Sequence, residues 1–213
     1  MNILSKTAAM CLALSLQITP AIADPIRKIY VRSHPSQGEV IQIKGATAAL
    51  ITGEQGVFIN MNTKGLEPGH VYTLWLVVMN EPDKCSALPC TPKEVLKRSD
   101  IVKSDVAYAG GAIADISGKA TFSHHQPLGQ FKSGFFDNGL TNIDGGEFHL
   151  VVNDHGPLIK NRAIEMLTTY RGGCTDESIP VLMPDTARAL GKKGPNQCRL
   201  VQFAQFLPSK PAS

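Results

Sequence analysis

The feature that most constrains the fold is the regular spacing of turn signals along the chain. The 213 residues include 19 Gly and 14 Pro, and these separate short runs in which β-branched residues predominate or apolar and polar residues alternate. Such runs, with a turn about every ten residues, are typical of antiparallel strands rather than long helices. The pattern predicts an all-β domain.

Ten stretches carry the strand pattern. They are residues 27–32, 40–43, 48–52, 57–61, 71–79, 106–113, 119–123, 148–152, 163–170 and 199–206. Residues 71–79 are almost continuously apolar, which indicates a central strand covered on both faces, and Trp75 is its expected core anchor. Two short helices are also predicted. One follows the capping box that begins at Thr91, and the other opens at Pro184 and stops at Gly191.

This number of short strands favours a two-sheet β-sandwich with Greek-key-like connections. A closed β-barrel is the alternative, and the one or two short helices lie in loops in both arrangements. The length suits one domain, which we place at residues 24–213.

Residues 1–23 have the layout of a secretory signal peptide. A positive start ends at Lys6, an apolar stretch covers residues 7–16, and the triplet Ala-Ile-Ala follows at residues 21–23. We predict cleavage between Ala23 and Asp24, which makes the domain exported, either periplasmic or secreted. The apolar stretch is too short for a bilayer core of about 30 Å. No transmembrane segment is predicted after cleavage.

Four cysteines remain after the predicted cleavage: Cys85, Cys90, Cys174 and Cys198. An even set in an exported chain indicates two disulfides. Sequence proximity favours pairing Cys85 with Cys90 and Cys174 with Cys198, because each pair brackets a loop-like insertion. A four-thiolate zinc site is the alternative, but the spacings Cys-x4-Cys and Cys-x23-Cys lack the close pairing of zinc ribbons.

The charge balance argues against a nucleic-acid partner. The chain has 21 basic and 18 acidic side chains, a formal net charge of +3. The basic residues are scattered and lack the aromatic interleaving of a nucleic-acid surface. A small molecule, a glycan or a protein remains open as the partner.

Histidine is the commonest metal ligand, and the candidates here are His70, His124, His149 and His155. The spacing argues against a shared site, because no His-x-His pair occurs. His149 is expected in a strand and His155 in the turn after it. No cofactor is therefore predicted, and a histidine-based copper or zinc site is the alternative.

No motif identifies a reaction. The chain lacks a Gly-x-Ser-x-Gly nucleophile elbow and the glycine spacing of a phosphate loop. Asp154 directly precedes His155 and is able to orient an imidazole, which gives an acid–base hypothesis built on these two residues and His149, with His70 or His124. The alternative interpretation is a polar turn at a strand end. The sequence does not decide whether the protein is an enzyme, and catalytic residues stay unassigned.

Three phenylalanines, Phe131, Phe135 and Phe136, lie in the glycine-rich stretch at residues 129–139. An exposed aromatic loop often marks a binding site, so these rings are the candidate ligand-binding residues. The competing interpretation, which we favour, is that the rings pin the loop to the edge of the strands.

Several segments together resemble a family of exported bacterial all-β proteins with no assigned activity. They are Pro-Gly-His-x-Tyr-Thr-x-Trp at residues 68–75, Asn-Glu-Pro at 80–82, Tyr-Ala-Gly-Gly at 108–111 and Asp-His-Gly-Pro at 154–157, with Cys85, Cys174 and Cys198. The resemblance covers about residues 56–206 and implies an exported all-β domain with a Trp-bearing strand and a late Asp-His-Gly-Pro turn. It implies no activity, and no catalytic residue carries over from it.

The leading functional hypothesis is an exported, non-enzymatic module that binds a ligand at a loop-bearing end or has a structural role. The alternative is a metal-binding protein or an enzyme that uses a histidine-based site.

Overall fold

Residues 26–209 are described by the structure, a computed structural model. The signal-peptide prediction for residues 1–23 lies outside this range. Eight antiparallel strands form one sheet in the order β5-β4-β7-β8-β1-β2-β3-β6. They are β1 (Ile26–Ser33), β2 (Gln42–Gly53), β3 (Gly56–Thr63), β4 (His70–Met79), β5 (Ser104–Ile113), β6 (Ala120–Pro127), β7 (Glu147–Pro157) and β8 (Arg199–Phe206).

The sheet curls into a nearly closed barrel. Its two end strands, β5 and β6, lie against each other, and β1 joins the early strands to the late ones by pairing Arg32 with Phe203 on β8. The all-β prediction is confirmed, with the barrel alternative as the matching arrangement. The described strands form this one sheet, so the expected division into two sheets does not occur, because β1 hydrogen-bonds to both β2 and β8.

Three predicted strands are wrong in their boundaries or type. The separate strands at residues 40–43 and 48–52 are one strand, β2, interrupted by an irregular pairing next to Gly45, whose φ is +75°. Residues 163–170, predicted as a strand, instead contain the helix α3 (Ala163–Thr168). Ile164 is 80% exposed there, whereas Met166 and Tyr170 are buried, so these apolar residues do not share one buried face of a strand.

Four short α-helices in the described range lie outside the sheet. They are α1 (Pro92–Lys97), α2 (Ser99–Val102), α3 (Ala163–Thr168) and α4 (Asp185–Ala189). The predicted capping box starts α1: the Glu94 amide donates to Thr91 Oγ1 at 3.4 Å, and the Thr91 amide donates to Glu94 Oε2 at 2.9 Å. The predicted helix after Pro184 is α4. Within residues 26–209, no helix is long and apolar enough to cross a membrane.

Strand β4 contributes to two separate apolar cores. Tyr72, Leu74 and Leu76 alternate into the barrel interior. Trp75 and Val77 face outward and are covered by loops that lie over the sheet. The prediction that this strand is covered on both faces is confirmed, and Trp75 anchors the outer core.

The two disulfides staple these covering loops, and both predicted pairings are confirmed. Cys85 is bonded to Cys90, with a Cα–Cα distance of 5.5 Å, and Cys174 to Cys198, at 5.4 Å. The first closes the loop before α1, and the second ties the long segment after α3 to the start of β8.

Candidate functional site

A cavity of about 490 Å³ lies on the outer face of the barrel, and we call it the outer cavity. Its floor is formed by outward-facing residues of three neighbouring strands, and its walls by α1, the short 3-10 helix Pro35–Gln37 and residues 178–183. Six residues define the floor: Trp75 and Val77 of β4, His149 and Val151 of β7, and Phe203 and Gln205 of β8.

The lining is mainly apolar. Val95 and Leu96 of α1 line the outer cavity, as do Leu182 and Met183. One cysteine of each disulfide, Cys90 and Cys198, also lines the outer cavity. The Cys174–Cys198 bond ties the segment that contains residues 178–183 to the start of β8, and the Cys85–Cys90 bond constrains the loop that leads into α1. A cavity of this volume, with apolar walls and few polar groups, has the character of a small-molecule site.

A buried carboxylate and an imidazole meet at one end of the floor. Glu147 has no exposed surface, and its Oε1 is hydrogen-bonded to His149 Nε2. The Cys90 amide donates to both carboxylate oxygens, at 3.0 and 3.2 Å. A buried carboxylate is costly unless it is paired and hydrogen-bonded, and these two partners meet that need.

The second ring nitrogen of His149 remains available. With Nε2 held by Glu147, Nδ1 makes no hydrogen bond to any residue in the range 26–209, and the side chain keeps 11% of its surface accessible. Gln205 is opposite His149 in the β7–β8 register, and it also lines the outer cavity. Side chains opposite each other in an antiparallel pair lie about 5 Å apart at Cβ. The floor thus carries two adjacent polar groups at one end.

Tyr170 provides an aromatic wall with a buried hydroxyl. Its ring packs edge-on against Trp75 at 5.2 Å and Phe135 at 5.7 Å between centroids. The hydroxyl is inaccessible and has no hydrogen-bond partner within residues 26–209. Burial raises the pKa of this phenol well above its ordinary value of 10.0. The group therefore stays neutral at physiological pH.

His155 is a structural histidine on strand β7, which corrects its expected place in a turn. The residue has no exposed surface. Its Nδ1 donates to the Gly172 carbonyl at 2.8 Å, and its Nε2 accepts from the Thr73 hydroxyl at 2.8 Å. The Trp75 indole N–H in turn donates to Thr73 Oγ1 at 2.8 Å. Burial lowers the pKa of His155 from 6.5 to about 4, so the imidazole is neutral near pH 7.

The side chains of His155, Cys174 and Cys198 form one cluster with metal-ligand geometry, and their donor atoms lie within 4.8 Å of one another. The two sulfurs, however, are joined in a disulfide. A disulfide supplies no thiolate, and the thiolate is the form of cysteine that binds metals. In the oxidised protein the cluster therefore offers one imidazole, whose nitrogens are already hydrogen-bonded.

The structure does not bring the four candidate histidines together. His149 and His155 share the outer face of β7 but are six residues apart, which is about 20 Å along a strand. His124 lies on β6, with Nε2 3.2 Å from Gln126 Oε1. His70 lies at the start of β4 and pairs with Asp154 instead.

Asp154 orients His70 rather than His155. Its Oδ1 lies 3.0 Å from His70 Nδ1, and the Gly156 amide donates to the same oxygen at 2.8 Å. Arg199 Nε is 3.5 Å from Oδ2. The predicted Asp-His pair thus exists with a different histidine, because successive residues of a strand point to opposite faces. The acid–base set of His149, Asp154 and His155 is therefore not assembled.

The three phenylalanines of residues 129–139 point into the protein. Phe131 belongs to the barrel core, Phe135 to the outer core, and Phe136 is half-buried against the latter. The buried carboxylate of Asp105 holds their loop by accepting from the amides of Phe136 at 3.0 Å and Gly139 at 2.8 Å. The rings of Phe131 and Phe135 therefore present no exposed stacking surface.

Sequence reasoning missed three residues of this region: Glu147, Tyr170 and Gln205. Only Glu147 carries a local signal, since it precedes His149 by two residues and therefore shares its face of the strand. The other two join the site through contacts between segments that are distant along the chain.

No protein-family model matches the chain, and comparisons with curated proteins and with solved structures also give no match. Function is therefore argued from the geometry of the site.

Proposed function

We propose that this protein is an exported, non-enzymatic binding protein for a small, mainly apolar molecule, which it holds in the outer cavity. The observation that carries this proposal is the cavity itself: about 490 Å³, lined mainly by apolar side chains and walled by disulfide-stapled loops. Pockets that hold small molecules commonly have this volume, with a few polar groups that orient the ligand.

Export is supported by the two disulfides, which persist in oxidising compartments. The predicted signal peptide points the same way, and the periplasm or the extracellular medium is the expected location. A binding site that is already formed also lowers the entropic cost of association. The two disulfides restrict the loop before α1 and the segment that contains residues 178–183 before any ligand arrives.

Trp75 makes the proposal directly testable. It is the only tryptophan in the chain, and it lines the outer cavity. We expect the uncharged apolar probe N-phenyl-1-naphthylamine to quench Trp75 emission saturably, with one site per protein. The same titration should increase the emission of the probe.

Two substitutions by phenylalanine provide the matched comparison. Val151→Phe enlarges a floor residue and should weaken probe binding by at least tenfold with little change in melting temperature. Ile116→Phe places the same ring at a site that is 94% exposed and does not line the outer cavity, and it should bind the probe like the wild type. Absence of saturable quenching, or equal binding by both variants, would refute the proposal.

A further inference from the structure

One end of the outer cavity is polar, and the groups at this end restrict which class of ligand the cavity accepts. His149 and Gln205 lie side by side on the floor, and neither His149 Nδ1 nor the Gln205 amide is hydrogen-bonded within the described part of the chain. The lining also contains other polar side chains that already have partners in the protein, namely His34, Ser36, Gln37, Ser178 and Arg199. Among the described residues, the accessible groups without a partner are therefore at this end of the outer cavity.

The Glu147 carboxylate sets the charge of this end. It is fully buried, and its partners are the Cys90 amide and His149. If the imidazole is protonated, the pair is neutral and Nδ1–H is a donor. If the imidazole is neutral, Nε2–H donates to the carboxylate, Nδ1 is an acceptor, and the pair carries one negative charge.

An anionic ligand group is disfavoured in both states. Beside the neutral imidazole it meets a pair that is already negative, and beside the protonated imidazole it accepts from Nδ1–H but leaves one net negative charge in apolar surroundings, where such a charge is costly. A hydroxyl group suits both states, because it accepts from Nδ1–H and donates to an unprotonated Nδ1. The neighbouring amide of Gln205 offers both a donor and an acceptor to the same oxygen.

We propose that the ligand is an uncharged apolar alcohol or phenol whose hydroxyl group is bound by His149 and Gln205, with Glu147 orienting the imidazole. This inference rests on the proposed function, because it assigns the ligand class of the same cavity. His149 and Gln205 contact the ligand, whereas Glu147 acts through His149.

Three matched compounds test the ligand class by displacing N-phenyl-1-naphthylamine: 2-naphthol, 2-methylnaphthalene and 2-naphthoate. A hydrogen bond contributes enough that 2-naphthol should bind roughly three- to tenfold more tightly than 2-methylnaphthalene. The carboxylate should be the weakest of the three. Equal affinities for the alcohol and the hydrocarbon, or tightest binding of 2-naphthoate, would overturn the inference.

Two variants assign the preference to these residues. Gln205→Leu removes a side chain that has no hydrogen bond within the described part of the chain, so the fold should be retained and the preference for 2-naphthol reduced. The double variant Glu147→Gln/His149→Leu removes the charge and the imidazole together. It should bind 2-methylnaphthalene normally and lose the preference. An undiminished preference in Gln205→Leu and in a folded double variant would contradict the assignment.

The two proposals fail in different ways. If N-phenyl-1-naphthylamine itself does not bind, the proposed function is wrong, and the inferred ligand class is wrong as well. If the probe binds and all three compounds displace it equally, the binding function stands and only the ligand class is wrong.

Discussion

Acid should destabilise the protein through one buried imidazole, that of His155. The residue has no exposed surface, and its two ring nitrogens are occupied by the Gly172 carbonyl and the Thr73 hydroxyl. Because Nε2 accepts a hydrogen bond, a second ring proton would break that contact and leave a charge in the interior. The folded protein therefore resists protonation at this site.

The magnitude follows from the two pKa values. In the unfolded chain the imidazole takes up a proton below about 6.5, whereas in the folded protein its pKa is about 4. The stabilisation is complete above pH 6.5 and is lost as the pH falls to about 4, because only the unfolded chain binds the proton in that window. At about 1.4 kcal/mol for each factor of ten in proton affinity, the loss is about 3 kcal/mol.

Urea unfolding at pH 7, 6, 5 and 4.5 measures this effect in the wild type and in His155→Gln. The variant has no titrating group at this position, so its stability should fall less between pH 7 and 4.5. Other groups that titrate in this range, such as His34 and His124, whose pKa values are lowered by burial, are common to both proteins and cancel. Parallel dependence on pH in the two proteins would refute the reasoning.

Three further predictions concern stability. Tyr170→Phe should leave the free energy of unfolding unchanged or raise it by about 1 kcal/mol, because the hydroxyl has no partner in the described residues; a loss above 1 kcal/mol in chemical denaturation contradicts this. Glu94→Gln should lower the melting temperature at pH 7, and the difference should shrink as the pH falls from 4.5 towards 2, because hydrogen bonds from Ser86 and Thr91 lower the pKa of Glu94 to about 2. Replacing Cys174 and Cys198 by alanine should lower the free energy of unfolding by about 3.5 kcal/mol, and replacing Cys85 and Cys90, which close the shorter loop, should lower it by about 2 kcal/mol. A thiol titration that finds four free thiols in the native protein contradicts both values.

The parts of the fold that depend on local signals are predictable from the sequence. The capping box at Thr91 needs only four consecutive residues, and the alternation along β3 needs only the two-residue repeat of a strand. The segment at residues 163–170 failed because a short apolar run fits a helix turn and a strand equally well. The joining of the early and late strands through β1 and β8 depends on pairing between segments that are distant in sequence.

The candidate site was less predictable for the same reason. The outer cavity forms where residues 34–37, 90–96 and 178–183 lie over three strands. No local sequence pattern predicts that these distant segments come together. His149 was recognised as a candidate, but its partner Glu147 was not. Asp154 was matched with the wrong histidine because β7 continues to Pro157, which places neighbouring residues on opposite faces.

The pairing of β1 with β8 has a consequence for how the chain folds. The earliest described strand hydrogen-bonds to the latest one, so the barrel has a high contact order, which is associated with slow folding. A chain still emerging from a ribosome has no β8, so neither the nearly closed barrel nor a complete floor beneath the outer cavity has formed. The ligand binding that we propose therefore requires the last described strand, because the floor of the outer cavity is complete only when residues 199–206 have paired with the first strand.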